Sequence, residues 1–290
     1  NYTLIGNAEH FERIADNNSG TYMLANNIVL GAGNKTNKTI SESHIPFAFS
    51  GTFNGDGKCI TVFSNKNGVF SELINTSTNV SNLTVDGYID ASGLVSVGGV
   101  SGISKGNVTG CKNYAVIKGK QNIGGIIGYG AAGEVSLCEN HGSINSSSWL
   151  CGGVVGYLNG GSISKSLNTG AITGSHVVGG ITGRHTGAGA IDQCYNIGNI
   201  VGSYTVGGIA GDSAGSPKNI SNCFNAGEIK ATSSTGGGLA AGIISSSASA
   251  ADSNAPHTYA NCYNVGNVIM VIGDVTLLYP VYAGYKDTGA

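Results

Sequence analysis

The sequence has little charge and little proline. Charged residues make up 10% of the 290 positions and there are four prolines, whereas about 25% of the residues in an average soluble protein are charged. Because 40% of the residues are apolar and the mean hydropathy is +0.08, charge-driven disorder is excluded and a buried core is expected. Glycine does not occur at every third position, which excludes collagen, and no apolar run reaches the ~20 residues of a membrane-spanning helix. We therefore expect a soluble protein.

Charge of either sign is also not concentrated anywhere. The 14 basic and 16 acidic residues give a net charge of -2 and are scattered along the chain. Without a basic patch, nucleic acid is not an expected partner. No spacing of cysteine and histidine indicates zinc, and we expect no cofactor. The chain begins at Asn1 without an initiator methionine or a signal segment, which is typical of a mature protein or an excised fragment.

Glycine is the residue in excess. The chain has 49 glycines, more than twice the usual share of ~7%. Many occur as a Gly-Gly pair before an aliphatic residue, at Gly98-Gly99, Gly124-Gly125, Gly152-Gly153, Gly179-Gly180, Gly207-Gly208 and Gly237-Gly238. The second glycines of successive pairs are 26, 28, 27, 28 and 30 residues apart. Such a fixed period identifies an internal repeat.

Two further marks keep the same period. A Cys-x-Asn motif stands at Cys111/Asn113, Cys138/Asn140, Cys194/Asn196, Cys223/Asn225 and Cys262/Asn264, with Ser166/Asn168 in its place once. A Gly-x-Ile motif follows at Gly142/Ile144, Gly170/Ile172, Gly198/Ile200 and Gly227/Ile229, with the variant Gly266/Val268. Between the marks, short alternating apolar runs are separated by Gly, Ser and Asn, a pattern typical of strands and turns.

The repeat predicts an all-β parallel β-helix. A coil of ~27 residues with about three short strands cannot bury its apolar faces alone, so successive coils must stack at a spacing of roughly 4.8 Å. A right-handed path is favoured by the general handedness of parallel crossovers. Equivalent residues then form columns, and we expect the cysteines of the Cys-x-Asn motif to be buried thiols and its asparagines to form an internal amide ladder. The glycines are expected to supply positive φ at tight corners.

The first 50 residues differ from the repeats and predict an N-terminal cap. The segment 7–17 places Phe11 and Ile14 on one face of a short helix with Asn7 as its N-cap. Coiling is expected to begin near Gly51, which gives a cap over 1–50 and β-helix repeats over 51–267. The apolar segment 268–290 is expected either to cover the last coil or to mark the end of an excised fragment.

These motifs resemble the GLUG-motif repeat family of bacterial cell-surface proteins. The resemblance rests on Gly-Gly-Ile-Ala-Gly at 207–211, Asn-Cys-Phe-Asn-Ala-Gly at 222–227, their copies along the chain, and the segment 49–57 with 80–85. It implies an extracellular β-helical module of adhesin-like proteins, also found in the non-catalytic part of some IgA-cleaving metallopeptidases. The zinc peptidase motif His-Glu-x-x-His does not occur in this sequence, so the resemblance implies no activity.

Two outward columns are candidate binding surfaces. The residue after each Gly-Gly-x-x-Gly gives the column Ile103, Tyr129, Tyr157, Arg184 and Asp212. Its stacked tyrosine rings would offer flat faces to a sugar or peptide, and its ion pair would offer hydrogen bonds. The residue after each Cys position gives the column Lys112, Glu139, Leu167, Tyr195, Phe224 and Tyr263, whose aromatic end could contact a protein partner. The alternative, which we favour for both columns, is a surface ladder that only stabilises itself.

The predicted function is an extracellular structural or adhesive module that displays a binding surface for a cell-surface or host glycan or protein, without enzymatic activity. One alternative is a filament subunit that self-associates through its chain ends. Another is a polysaccharide-degrading β-helix enzyme, for which Arg184, His185 and Asp212 are the best cluster. A formal Gly-x-Ser-x-Gly places Ser213 in the column of His185, although the strand-turn-helix context of a hydrolase is missing.

Overall fold

A computed structural model describes residues 1–214, 219–233, 238–246, 258–272 and 275–279. It is an all-β parallel solenoid of about 7 turns with coils of ~28 residues, which confirms the predicted fold class. Among the described residues, no helix is long and apolar enough to cross a bilayer. Gly237, the Ser- and Ala-rich segment 247–254 and the end of the chain from 280 lie outside the described residues.

Three parallel sheets run along the solenoid, and each rung contributes to all three. The first sheet contains ten strands: Thr3–Ile5, Thr21–Leu24, Thr52–Asn54, Asn79–Ser81, Asn107–Thr109, Glu134–Ser136, Ser162–Ser164, Ala190–Asp192, Asn219–Ser221 and Thr258–Ala260. The third sheet contains eight: Ala48–Phe49, Phe70–Leu73, Ser101–Ser104, Ile127–Gly130, Val155–Leu158, Thr182–His185, Ala210–Ser213 and Ile244–Ser246.

The second sheet carries the Cys-x-Asn and Gly-x-Ile motifs and the strand that leads into each glycine pair. Its strands are Ile28–Leu30, Cys59–Ser64, Thr84–Val97, Lys112–Asn113, Val116–Gly124, Glu139–Asn140, Ile144–Ser146, Leu150–Gly152, Leu167–Asn168, Ile172–Gly174, Val177–Gly179, Tyr195–Asn196, Ile200–Gly202, Thr205–Gly207, Phe224–Asn225, Ile229–Ser233, Leu239–Ala241, Tyr263–Asn264, Val268–Ile272 and Val275–Tyr279. The last two pair antiparallel, so the chain folds back on its final rung.

The asparagines form a continuous buried ladder. Each side-chain Nδ2 donates to the Oδ1 of the next asparagine at 2.6 to 2.7 Å, along Asn113, Asn140, Asn168, Asn196, Asn225 and Asn264. The same amide also donates to the carbonyl two residues further on, as from Asn168 to Gly170 at 2.9 Å. Every interior amide is therefore hydrogen-bonded to both neighbouring asparagines and to a carbonyl of its own rung, which offsets the cost of burying a polar group.

Glycines supply positive φ at several turns, as expected, for example at Gly133, Gly161 and Gly187. The expectation is wrong for the Gly-Gly pairs, which are explained by close packing against the ladder and the next rung. The second glycine of each pair has an ordinary φ. A Cβ built on Gly153 would lie 2.5 Å from Cγ of Asn168, and one on Gly180 would lie 2.5 Å from Cγ of Asn196. The Gly-x-Ile glycines also leave no room for a side chain, since a Cβ on Gly170 would collide with the carbonyl oxygen of Gly142 and lie 2.8 Å from Nδ2 of Asn140. The three sequence marks thus describe one packing unit.

Positive φ also occurs at the turn before each Cys position of the repeat, including the rungs in which Leu83 or Ser166 replaces the cysteine. In successive rungs this position is Asn82, Gly110, Leu137, Lys165, Gln193, Asn222 and Asn261, each with φ between 48° and 64°. Asparagine and glycine tolerate this left-handed conformation, whereas leucine and lysine do so only at a cost. The turn is therefore fixed by the rungs that flank it and not by the local residue.

The N-terminal segment caps the first rung with aromatic side chains. Ala8–Glu12 is α-helical and Arg13–Asn17 is 3₁₀-helical, and Asn7 caps the helix by accepting from the backbone N–H of His10 at 2.8 Å. Phe11 and Ile14 are buried, as predicted, and Phe11 packs against Phe70 with 5.6 Å between ring centroids. Parallel pairing already begins at Thr3–Ile5, N-terminal to the expected start near Gly51. Ala32–Asn34 and Thr39–Glu42 form a separate antiparallel pair.

Candidate functional site

The outward column beside the cysteines lies on the second sheet, and we call it the outer strip (Lys112, Glu139, Leu167, Tyr195, Phe224 and Tyr263). Its members are in register from rung to rung. Tyr195 is 43% exposed and Tyr263 is 55% exposed, and the Phe224 and Tyr263 rings lie 4.7 Å apart. The structure thus places these three aromatic residues on the surface, as the sequence indicated.

Two apolar residues that the sequence analysis did not single out extend this surface. Ile197 and Val265 follow Tyr195 and Tyr263 by two positions, and each is about half-exposed. Each follows a buried ladder asparagine, and its backbone N–H pairs with the preceding rung, so both exposed side chains lie beside the outer strip. The signal was available in the sequence, because both stand directly after the ladder asparagines. The result is an apolar patch two columns wide.

The other end of the outer strip is polar. Lys112 Nζ lies 3.0 Å from Glu139 Oε1, and Glu139 Oε2 lies 2.8 Å from His141 Nε2. His141 Nδ1 lies 2.7 Å from the Thr169 hydroxyl, and its ring stacks on Tyr114 at 4.7 Å. Partial burial raises the pKa of the Glu139 carboxyl, but hydrogen bonds from His141 and Lys112 outweigh it and leave the pKa below its usual value.

The side chains of Glu139, His141 and Thr169 are hydrogen-bonded in the order carboxylate, imidazole, hydroxyl, as in a hydrolase triad. The backbone amides next to the hydroxyl, however, are not available to bind an oxyanion. The backbone N–H groups of Thr169 and Gly170 both donate to the carbonyl of Asn140, at 2.8 and 3.2 Å. An oxyanion at Thr169 would need free donors beside the hydroxyl, and these two are already used in rung pairing. The cluster is accounted for as a polar surface network.

The second predicted column, after each Gly-Gly-x-x-Gly, lies on the third sheet. The register aligns its members in the expected order. Arg184 Nε and Asp212 Oδ2 form an ion pair at 2.8 Å. The Tyr129 and Tyr157 rings, however, meet edge to face, with centroids 5.2 Å apart and planes at 65°.

The tyrosine hydroxyls of this column are tied into a polar network. The Asn159 amide donates to the Tyr129 hydroxyl at 2.7 Å, and Thr186 donates to the Tyr157 hydroxyl at 3.0 Å. Because the rings are edge to face and their hydroxyls are engaged, they do not form the flat stacked platform that the sequence analysis expected. The position of the column was predicted correctly, but the geometry of its rings was not.

The residues of the enzyme alternative are separated by the core wall. His185 and Ser213 pair in register, and both are fully buried. Arg184 and Asp212 face the other side of the same strands. A substrate at the surface therefore has no access to the imidazole or the Ser213 hydroxyl. Within the described parts of the chain, no three His, Cys, Asp or Glu side chains come together as a metal site.

The cysteine column consists of free buried thiols. Cys111, Cys138, Cys194 and Cys223 are fully buried, and Cys262 is nearly so. Burial raises the pKa of the Cys138 thiol well above its usual value, and burial also raises the pKa of Cys151. Thiols held in the neutral form are poor nucleophiles and poor metal ligands. Cys59 is half-buried and Cys151 is buried, and both are free.

A further aromatic column, which the sequence analysis missed, lies at the corner before the strands that lead into the glycine pairs. We call it the corner column (Trp149, His176 and Tyr204). The strands that follow it are Leu150–Gly152, Val177–Gly179 and Thr205–Gly207. The Trp149 and His176 rings are stacked at 4.8 Å with planes at 15°, and His176 and Tyr204 at 4.9 Å with planes at 19°. Trp149 is 51% exposed and Tyr204 is 39% exposed. Each member stands four residues before the second glycine of a pair, so the repeat alignment contained the signal.

No family model and no curated protein matches this chain. Several solved structures share its fold, among them the following two. A candidate immunoglobulin A1 protease from Bacteroides ovatus is 18% identical, with a TM-score of 0.60 over 99% of this chain and 81% of that one. A structure described as IgA1 protease is 17% identical, with a TM-score of 0.67 over 92% of this chain but 22% of that one. The chain thus spans about a fifth of the second protein, and at these identities the likeness shows that its β-helical fold is shared with structures of immunoglobulin A1 proteases.

Proposed function

We propose that this chain is a non-catalytic β-helical module of an extracellular protein, and that the apolar end of the outer strip binds a protein partner. Immunoglobulin A1 is the first partner to test, because it is named in the description of both structural neighbours. The module would act as a rigid support that holds the patch away from neighbouring domains. This role follows the implication of the GLUG resemblance for an adhesin-like surface module.

The observation that carries the proposal is the exposed apolar patch around Tyr195 and Tyr263. Aromatic residues exposed together on a rigid sheet are typical of protein-binding surfaces, where tyrosine supplies contact area with little loss of side-chain entropy. The non-catalytic part of the proposal is supported by the burial of His185 and Ser213 and by the rung pairing of the amides next to Thr169.

The test is binding of purified immunoglobulin A1 to the immobilised chain, with the double variant Tyr195→Ser/Tyr263→Ser beside the wild type. We expect the wild type to bind and the double variant to lose at least tenfold in affinity. Tyr2→Ser is the matched control, because Tyr2 is similarly exposed but lies at the opposite end of the solenoid. Unfolding curves of the variants verify that the fold is kept.

Two results would overturn the proposal in different ways. If the wild-type chain does not bind immunoglobulin A1, the proposed partner is wrong. If the double variant binds as well as the wild type, the apolar patch is not the binding surface. Cleavage of immunoglobulin A1 or of an acidic polysaccharide by the purified chain alone would establish an enzyme instead. Light scattering over a concentration series, expected to give a monomer, tests the filament alternative with the same preparations.

A further inference from the structure

The corner column presents an aromatic face at one end. In a stack of parallel rings, the middle ring is covered on both sides and each end ring keeps one free face. Trp149 stacks on His176 through one face of its indole ring. In the preceding rung, the position four residues before the second glycine is Gln121, so the opposite face of the indole meets no aromatic ring there. This agrees with the half-exposure of Trp149.

The surroundings of this face are polar and mostly uncharged. Ser147 is exposed and Ser148 is half-buried beside the indole, and Gln121 is half-buried below it. Ser175 precedes His176, with its hydroxyl 3.0 Å from Nδ1 of the imidazole. The corner therefore joins a flat apolar face to hydroxyl and amide groups that both donate and accept hydrogen bonds.

This combination differs from the apolar patch of the outer strip. There the exposed neighbours are aliphatic, which suits a protein surface, whereas at the corner the aromatic face is bordered by hydrogen-bonding groups. A pyranose ring has the matching chemistry, because its axial C–H groups form an apolar face and its hydroxyls lie around the rim. An anionic ligand fits less well, since Lys120 is the one basic residue adjacent in the preceding rung.

We propose that the Trp149 end of the corner column is a binding site for a neutral glycan, with one sugar ring stacked on the solvent-exposed part of the indole and its hydroxyls bonded by Gln121 and Ser148. The site is separate from the outer strip and does not depend on immunoglobulin binding. Its affinity for a single sugar would be low, because one aromatic face and a few exposed hydrogen bonds supply little binding energy.

The chain offers a direct probe, since Trp149 is its single tryptophan. A glycan array with the intact chain first selects the neutral oligosaccharide that is retained most strongly. Titration with that oligosaccharide should change the intrinsic fluorescence of the indole in a saturable way. Calorimetry with Trp149→Ala should show at least a tenfold loss of affinity, and Gln121→Ala a smaller one. Trp149→Phe, which keeps an aromatic face, should retain part of the binding.

The double variant Tyr195→Ser/Tyr263→Ser is the control, and it should bind the glycan as well as the wild type does. The proposal is overturned if the array retains no neutral glycan, if a retained glycan leaves the fluorescence unchanged, or if Trp149→Ala binds with wild-type affinity. Loss of glycan binding in the strip variant with retention in Trp149→Ala would assign the site to the outer strip. Failure of immunoglobulin binding alone leaves each of these readouts unaffected.

Discussion

Along the two-residue strands of the second sheet, the inward position is asparagine in six rungs, whereas the outward position changes from Lys112 and Glu139 to Tyr195 and Tyr263. The two positions are neighbours in sequence and share the same backbone pairing. They differ in what surrounds them. The inward amide is hydrogen-bonded to the asparagines of both neighbouring rungs, whereas the outward side chain meets solvent on at least one side. Through these six rungs the inward column therefore keeps asparagine, although apolar Val85 and Ile60 occupy it in the rungs before the ladder, and the outward column is free to carry binding chemistry.

Breaking the inward column should have the largest effect on stability. Asn168→Ala removes the acceptor of the Asn140 amide and the donor to both Asn196 and the Gly170 carbonyl, so three buried polar groups each lose a partner. At about 1 to 3 kcal/mol for each unsatisfied group, we expect the free energy of unfolding to fall by at least about 3 kcal/mol. Asn264→Ala is the matched control, because Asn264 ends the ladder and takes part in one inter-rung amide bond and one bond to the Gly266 carbonyl. Denaturant unfolding measures both, and equal losses would show that the ladder does not act as a connected unit.

Filling the space beside the ladder should have the next largest effect. A Cβ on Gly153 would collide with Asn168 and with the carbonyl of Gly180, so Gly153→Ala should cost about 1 to 3 kcal/mol, as overpacking of a rigid interior does. Gly93→Ala is the control, since a Cβ there meets nothing within 4 Å and φ is not positive. Thermal unfolding should show a lower Tm than the wild type for Gly153→Ala and an unchanged Tm for Gly93→Ala. If Gly153→Ala unfolds at the wild-type Tm, the steric explanation of the glycine pairs is wrong.

A substitution at the turn should stabilise the chain. Leu137 is exposed and has φ of 55°, a conformation that costs a leucine about 1 to 2 kcal/mol and that glycine adopts freely. Glycine also has greater conformational entropy in the unfolded chain, which offsets part of this strain. We therefore expect Leu137→Gly to raise the free energy of unfolding by about 0.5 to 1 kcal/mol. Gly110 occupies the same position in the preceding rung, and Gly110→Ala should change stability in the opposite direction. Chemical denaturation curves test the pair, and a loss on Leu137→Gly would contradict the assignment of strain.

The smallest effect is expected on the polar end of the outer strip. Because the pKa of Glu139 is lowered in the folded state, its ionised form contributes stability above the unfolded value of 4.5, and this contribution disappears as the pH falls below it. Glu139→Gln should cost under about 1 kcal/mol at pH 7, since the group is partly solvent-screened. Its unfolding free energy should also fall less steeply than that of the wild type below pH 4.5.

A double-mutant cycle with Lys112→Met sharpens this last comparison. The coupling between the two partners should be under about 1 kcal/mol and should shrink with added salt. A coupling as large as the loss in Asn168→Ala would mean that the outer strip is as constrained as the ladder, which would remove the distinction between the two columns.

The sequence by itself determined the coil length, the stacking and the identity of each column, because a fixed period forces equivalent residues to lie on top of one another. It also located the cap helix, whose N-cap Asn7 and buried Phe11 are local features. It did not reveal why the glycines recur, since the close approach of Gly153 to Asn168 joins residues from different segments of neighbouring rungs.

Ring geometry was decided only by the tertiary structure. Each column keeps a constant spacing from the glycine pairs, yet the rings stack face to face in the corner column and meet edge to face at Tyr129 and Tyr157. The two tyrosines also have hydrogen-bonded hydroxyls, such as that of Tyr129 with Asn159. A periodic sequence fixes where a side chain stands along the solenoid, but the direction in which it turns depends on neighbours that only the folded rungs bring together.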